Sequence, residues 1–348
     1  MTFHVPLVDI TPYVTGGTGA ERAAVARAID DACRTVGFIQ ITGHGVPAAV
    51  IAGLEASIDG FFGLDLDVKN TYRTPPEINR GYSPPKSESL SLSLGVEQAS
   101  RMNDFFEAFN VGATAAHYPH VAHLDPIDYA DNVWPDVAGF EPAVSAYFGE
   151  AARVARTLTD IFADALGIDR AFFDARTDHS LDVLRMNNYA LPPGTDVTLD
   201  GDLIGMGEHT DYGIVTVLWA DRVAGLQVLG SDGSWNDVQP AEGALLVNLG
   251  DVTARLTNEQ WMSTLHRVKP PVIDGTIRRR RSAAFFHDGN VDALIETLPQ
   301  CVDAQHPAIY EPVTVQEHIR AKLAGSRAGV RNETADRESA RVLSSDRY

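Results

Sequence analysis

Cysteine is scarce in this 348-residue chain: there are two, Cys33 and Cys301, far apart and without pattern. Chains built around disulfides are richer in cysteine, so this usage argues against a disulfide framework and points to a reducing cytoplasm. Apolar runs long enough to span a bilayer are also missing, which leaves no membrane segment to expect. The opening stretch MTFHVPLVDI lacks a basic segment followed by an apolar one, so no signal peptide is expected either. Positive charge is in short supply, with 28 Lys and Arg against 47 Asp and Glu, a formal net charge of −19. Most of such a surface repels a phosphate backbone, which argues against a nucleic-acid partner. No internal repeat is present. What remains, with 44% of residues hydrophobic, is a globular composition large enough for one elaborated domain or two.

Against that acidity one stretch stands out. RRRRSAAFFHDGN (278–290) sets four arginines directly before an apolar run. They form a solvated basic corner, or one of them reaches inside to hold something negative.

The first half of the chain reads as helical. In TGAERAAVARAIDDACRTVGF, Val25, Ile29, Ala32 and Val36 recur at helical spacing behind Thr18, a candidate N-cap. GFIQITGHGVP then changes rhythm, and Phe38 to Ile41 fits a short buried strand bounded by glycines. A second helix opens with Pro47 at its first position and carries Val50, Leu54, Ile58 and Phe61 on one face. From Asp65 to about Glu141 proline and serine break the pattern into long loops with short strands between them. A long amphipathic helix follows, its stripe drawn by Val144, Phe148, Ala151, Val154, Leu158, Ile161 and Ala165.

The second half is a series of short candidate strands, among them LDVLRMNNYAL, YGIVTVLWA, GLQVLG, ALLVNLGD, STLHRVKPP and RSAAFFHDG. Many short strands at near-regular spacing suggest a sandwich or barrel, of which a jelly roll is one form. The charged end, 324–348, reads as disorder or a loose terminal helix. The expected division is 1–125 for an N-terminal region, 126–180 for a connecting segment and support helix, 181–290 for a strand-rich core, and 291–348 for a C-terminal helix and tail.

Two histidine environments differ from the rest. In GMGEHTDYG, His209 and Asp211 stand two apart, so on an extended backbone both side chains meet one face. His266 lies in a strand-like run downstream. Two histidines and one carboxylate on one side of a metal leave three positions open, the facial arrangement suited to non-haem Fe(II) and oxygen chemistry. Taken alone, His-x-Asp beside glycine is also ordinary turn chemistry. In an extended RRRRSAAFF, Arg278, Arg280, Ser282 and Ala284 share a face while Arg279 and Arg281 take the other. Arg280 and Ser282 then offer a guanidinium fork and a hydroxyl at one place, suited to a carboxylate in a way lysine is not.

In that order, LRMNNY, HTDYGIVTVL, GLQV, LLVNLGDVTARLTN, STLHRV and RRSAAFF resemble the isopenicillin-N-synthase-like branch of the Fe(II)- and 2-oxoglutarate-dependent oxygenases. GFIQITGHGVP and NRGYSP are similar to stretches that precede the catalytic core there, so the resemblance runs from VPLVDI to about YEPVTVQEHI. It implies a mainly β protein with flanking helices, in which a double-stranded β-helix, a jelly roll, is wrapped by N-terminal and C-terminal helices. It implies His209, Asp211 and His266 as iron ligands and Arg280 and Ser282 as partners of the distal carboxylate of 2-oxoglutarate. Asn187 and Tyr189 match an Asn-x-Tyr element lining the same cosubstrate pocket. The implied reaction consumes O2, decarboxylates 2-oxoglutarate to succinate and CO2, and oxidises a small molecule, with hydroxylation as the default.

Two alternatives accompany this reading. Relatives such as isopenicillin N synthase and the aminocyclopropane carboxylate oxidases keep the iron ligands and the Arg-x-Ser pair without using 2-oxoglutarate. HYPHVAH clusters His117, His120 and His123, which would suit a zinc-binding hydrolase or a structural zinc site. For the substrate, Arg80, Tyr82, Phe105 and Phe106 are candidate lining residues, each also suited to a core. The acidic composition favours a neutral or cationic small molecule over an anionic one.

Overall fold

A computed structural model describes residues 3–85, 87–88, 90–95, 106–190, 205–269, 272–273, 276–332, 335 and 337. Two sheets dominate it. The larger has eight strands in the order Leu7–Asp9, Phe38–Thr42, Leu245–Leu249, Val215–Ala220, Arg280–His287, Asp182–Tyr189, Glu107–Gly112 and Gly81–Ser83. Its first pair is parallel and the others antiparallel. The smaller runs Met206–His209, His266–Val268, Leu226–Leu229 and Trp235–Asp237. The jelly-roll expectation holds, and the strands fall where the sequence places the short apolar runs.

Alternation along the strands sorts side chains to two faces. Leu184, Met186, Val217, Trp219, Ala283 and Phe285 join one core with the helices, while Tyr189, Met206, Leu226, Val228, Leu246 and Val268 fill a second one. The helical layer is built from Gly19–Thr35, Ala48–Phe62 and Phe140–Leu166. Thr18 caps the first of these in a full capping box with Glu21. Pro47 is one position earlier than expected, at the N-cap, so Ala48 begins the second helix. The long helix buries Val144, Ala151, Val154, Leu158 and Ile161, all on the stripe read from the sequence.

Val315–Ala328 is an ordered helix capped by Thr314 and Glu317, and it buries Ile319 and Lys322. Most of the charged tail beyond it lies outside the described residues.

Candidate active site

The antiparallel register sets His266 directly opposite His209, and their rings lie 4.2 Å apart, centroid to centroid. Asp211 follows in the turn after His209. Its Oδ1 is 3.9 Å from His209 Nε2 and 3.7 Å from His266 Nε2. The three ligand atoms all lie within 4.8 Å of one another and all three residues are buried. No other group of this kind occurs among the described residues.

Each donor is aimed by a second bond. Nδ1 of His209 is 2.7 Å from the Gly207 carbonyl, and Nδ1 of His266 is 3.0 Å from the Thr264 carbonyl. A carbonyl only accepts, so each Nδ1 carries the proton and each Nε2 presents its lone pair. Burial, and then the neighbouring His266, holds His209 far below the ordinary histidine value, so its imidazole stays neutral. Asp211 is fixed through its other oxygen: Thr216 Oγ1 donates to Oδ2 at 2.5 Å and Asn248 Nδ2 donates at 2.6 Å. Thr216 and Asn248 are themselves cross-strand partners. The turn after Asp211 packs tightly, since a Cβ on Gly213 would come within 2.6 Å of Asp288 Cα. Burial, followed by Asp182 and Asp211, pushes the Asp288 carboxyl well above the usual range.

The cavity in front of these donors is lined by alternate residues of two paired strands. Leu181, Val183, Arg185, Asn187 and Tyr189 come from one, and Arg280, Ser282, Ala284, Phe286 and Asp288 from the other. Arg280 pairs in register with Tyr189, and Ser282 with Asn187. The Arg280 guanidinium lies over the Tyr189 ring at 5.1 Å, and one Nη donates to Ser282 Oγ at 3.4 Å. Arg280 is 2% exposed and its Nε is buried without a partner. Among the described residues no carboxylate pairs with it, and a buried cation left so is costly unless an anion completes it. Arg279 and Arg281 take the opposite face, where both reach Asp59, at 2.7 and 2.9 Å.

The substrate candidates separate. Arg80 borders the cavity, but its guanidinium donates to four backbone carbonyls, those of Asn79, Ala113, Asp128 and Ala130. Burial pushes it down to about 10. Tyr82 is not part of the cavity: its hydroxyl donates to Glu107 at 2.6 Å and its ring packs on Phe61. Phe106 sits behind the cavity wall, tilted against Tyr189 at 5.8 Å. Phe105 lies outside the described residues. His117, His120 and His123 are all exposed and bring no three donors together, which removes the zinc reading.

Sequence reasoning missed Glu88, Asn79, Asn110, Arg185, Thr216, Asn248 and, from the C-terminal helix, Leu323 and Arg327. Arg185 had a signal, because counting back in twos from Tyr189 and Asn187 reaches it. Arg327 had none, since its place depends on how a distant helix docks.

Two family models match the chain. The non-haem dioxygenase N-terminal region, described from morphine synthesis, covers residues 5–137, and the 2OG-Fe(II) oxygenase superfamily covers 181–289. A 2-oxoglutarate-Fe(II) type oxidoreductase of Emericella nidulans, hxnY, is 32% identical over 90% of this chain and 88% of its own length. The validamycin A dioxygenase of Streptomyces hygroscopicus is 31% identical over 92% and 86%. Among solved structures, a full-length Neurospora crassa protein in complex with alpha-KG and thymine superimposes with a TM-score of 0.78 at 26% identity, covering 92% of this chain and 96% of that one. The rice dioxygenase for auxin oxidation gives 0.69 at 26% identity over 96% and 99%.

Proposed function

The chain belongs to the 2-oxoglutarate–Fe(II) oxygenase superfamily, and on that premise we propose that His209, Asp211 and His266 hold its iron while Arg280 and Ser282 hold the distal carboxylate of 2-oxoglutarate. The enzyme is an oxidoreductase, a dioxygenase that uses Fe(II), 2-oxoglutarate and O2 and acts on a small molecule. Isopenicillin-N-synthase-type oxidation without 2-oxoglutarate is set aside with it. One observation carries the residue assignment: a buried guanidinium without a carboxylate partner among the described residues lines the same cavity as three convergent donors.

When bound, iron with 2-oxoglutarate supplies oxidative decarboxylation to succinate and CO2 and the capacity to oxidise a C–H bond, hydroxylation being the outcome we propose. The residues supply placement. The carbonyls of Gly207 and Thr264 fix the imidazole tautomers, and Thr216 with Asn248 stops the Asp211 carboxylate from rotating. Arg280 and Ser282 fix one end of the dicarboxylate, with Asn187 and Tyr189 beside it. The buried setting keeps water from competing with these polar contacts.

The boundaries at 125, 180 and 290 are retained as our division of the chain. A cytoplasmic site is part of the same reading, supported by two cysteines that are both free and buried. The acidic composition supports the absence of a nucleic-acid partner, and no helix among the described residues is long and apolar enough to cross a membrane.

Iron binding tests the assignment. Equilibrium dialysis against Fe(II) under anaerobic conditions should load wild type with one iron, His120→Ala equally, and His209→Ala, Asp211→Ala and His266→Ala far less. Iron retained by His209→Ala, or lost from His120→Ala, would refute it.

A further inference from the structure

The cavity has a second polar end, away from Arg280. Strand register places Arg280 beside Tyr189, and Arg185 is four residues further along that strand. At about 3.4 Å per residue this is roughly 14 Å, too far for one five-carbon diacid to span. Arg185 is held there by Glu88 through two bonds, at 3.2 and 2.8 Å, and donates through Nε to Asn187 at 3.1 Å. The pair is buried, with the Arg185 side chain 11% and the Glu88 side chain 6% exposed. It therefore leaves no excess charge.

Arg327 reaches the same wall from the C-terminal helix and is balanced differently. One Nη donates to Asn79 Oδ1 at 2.6 Å, and no carboxylate pairs with it among the described residues. Asn110 Nδ2 donates to the same Asn79 oxygen at 2.7 Å, and Asn110 Oδ1 is buried without a partner. The other carboxylates of the lining are engaged or placed elsewhere: Asp128 is paired with Arg320 at 2.9 Å, Glu77 is exposed, Asp211 is held by Thr216 and Asn248, and Asp288 packs against Gly213 in the turn after Asp211. Desolvation, with Arg185 nearby, holds the Arg327 guanidinium below its ordinary value against the opposing pull of Glu88, whose two oxygens are already engaged by Arg185. The same cavity also has apolar lining, with Leu181, Val183, Ile319 and Leu323.

We propose that the primary substrate is a small organic acid with an apolar body, its carboxylate bound by Arg327 and a hydroxyl or N–H group donating to Asn110. This rests on the oxygenase reading above and deepens it. A carboxylate at Arg327 receives charge-assisted hydrogen bonds inside a cavity that water reaches poorly, whereas a neutral amide leaves the cation uncompensated. It reverses the expectation drawn from composition, because the local charge of the cavity end is opposite to that of the whole chain. The Glu88–Arg185 pair positions this end by keeping a second guanidinium rigid beside the first.

Matched acids and amides test the proposal: phenylacetate with phenylacetamide, and 3-phenylpropionate with 3-phenylpropionamide. The visible absorption of the anaerobic enzyme with Fe(II) and 2-oxoglutarate is recorded first. If no chelate band forms at that stage, the cosubstrate assignment has failed, and the substrate proposal is then judged by calorimetric binding of the same acids and amides to wild type and Arg327→Gln. Each acid should perturb the band at a concentration roughly tenfold to a hundredfold lower than its amide. Arg327→Gln should bring acid and amide together, while Arg327→Lys keeps part of the preference. Amides acting as well as acids, a preference that survives Arg327→Gln, or no perturbation by either acid would each overturn the proposal.

Discussion

Replacing Thr216 by valine removes one hydroxyl and keeps the branched shape, so it isolates a single bond to the carboxylate proposed to bind iron. That bond is short, 2.5 Å from Thr216 Oγ1 to Asp211 Oδ2, and Asn248 supplies the other at 2.6 Å. Both groups are buried, and a hydrogen bond to a charged acceptor contributes about 1.5–3 kcal/mol. The bond exists with and without metal, so part of the loss appears as lower stability of the apo-protein. The part that reaches iron is orientational. With one tether gone, Asp211 can rotate Oδ1 away from the two Nε2 atoms, and losing such an outer partner typically costs about 10–100-fold in metal affinity. Competition between enzyme and a coloured chelator for Fe(II) reads this directly. Thr216→Val should bind iron about tenfold more weakly or worse, Asn248→Ala should do the same, and the double variant should lose less than the product of the two because they share one oxygen. Wild-type affinity in Thr216→Val, with the protein folded, would refute the idea that the Oδ2 bonds orient the ligand.

Three further outcomes follow from buried groups. His318 is pushed down to about 3, chiefly by burial, so below pH 6.5 the unfolded chain takes up a proton that the folded chain refuses. Its contribution is therefore intact above that pH and falls by roughly 2 kcal/mol from pH 6.5 to 5; urea midpoints at the two pH values check this, and His318→Gln should flatten the difference. Arg80→Met should destabilise by at least about 3 kcal/mol in denaturant titrations, because four carbonyls lose their donor; a stable variant with only a raised substrate KM would instead make Arg80 a binding residue. Lys322 pairs with Asp251 at 2.8 Å and both are almost fully buried, so Lys322→Met should cost about 3–5 kcal/mol by leaving a buried charge, and adding Asp251→Asn should restore part of it.

The proposed iron ligands were named through the family resemblance, since His-x-Asp alone is also ordinary turn chemistry, while the shared face of Arg280 and Ser282 followed from strand periodicity. Arg280 and Ser282 differ by two on one strand and land on one face, whereas Asp211 lies in the turn just past the strand that ends at His209 and still comes together with His209 and His266. The helical stripes were legible for the same reason at the other period. What could not be read depends on packing between distant segments. Arg80 looked like a substrate contact because a lone arginine in a proline-rich stretch gives no hint of the four carbonyls that surround it. Tyr82 turned inward to Glu107 because Lys69 already sits there, 2.7 Å from that carboxylate. Arg327 belongs to the cavity only through the docking of Val315–Ala328, which the charged composition of that region obscured.

One measurement tests the central claim most directly: the visible spectrum of the anaerobic protein with Fe(II), before and after 2-oxoglutarate. The account predicts a weak charge-transfer band on adding the cosubstrate, absent in His209→Ala and reached in Arg280→Ala only at much higher 2-oxoglutarate. Bound iron with no band, or a band whose 2-oxoglutarate dependence is the same in Arg280→Ala as in wild type, would contradict it.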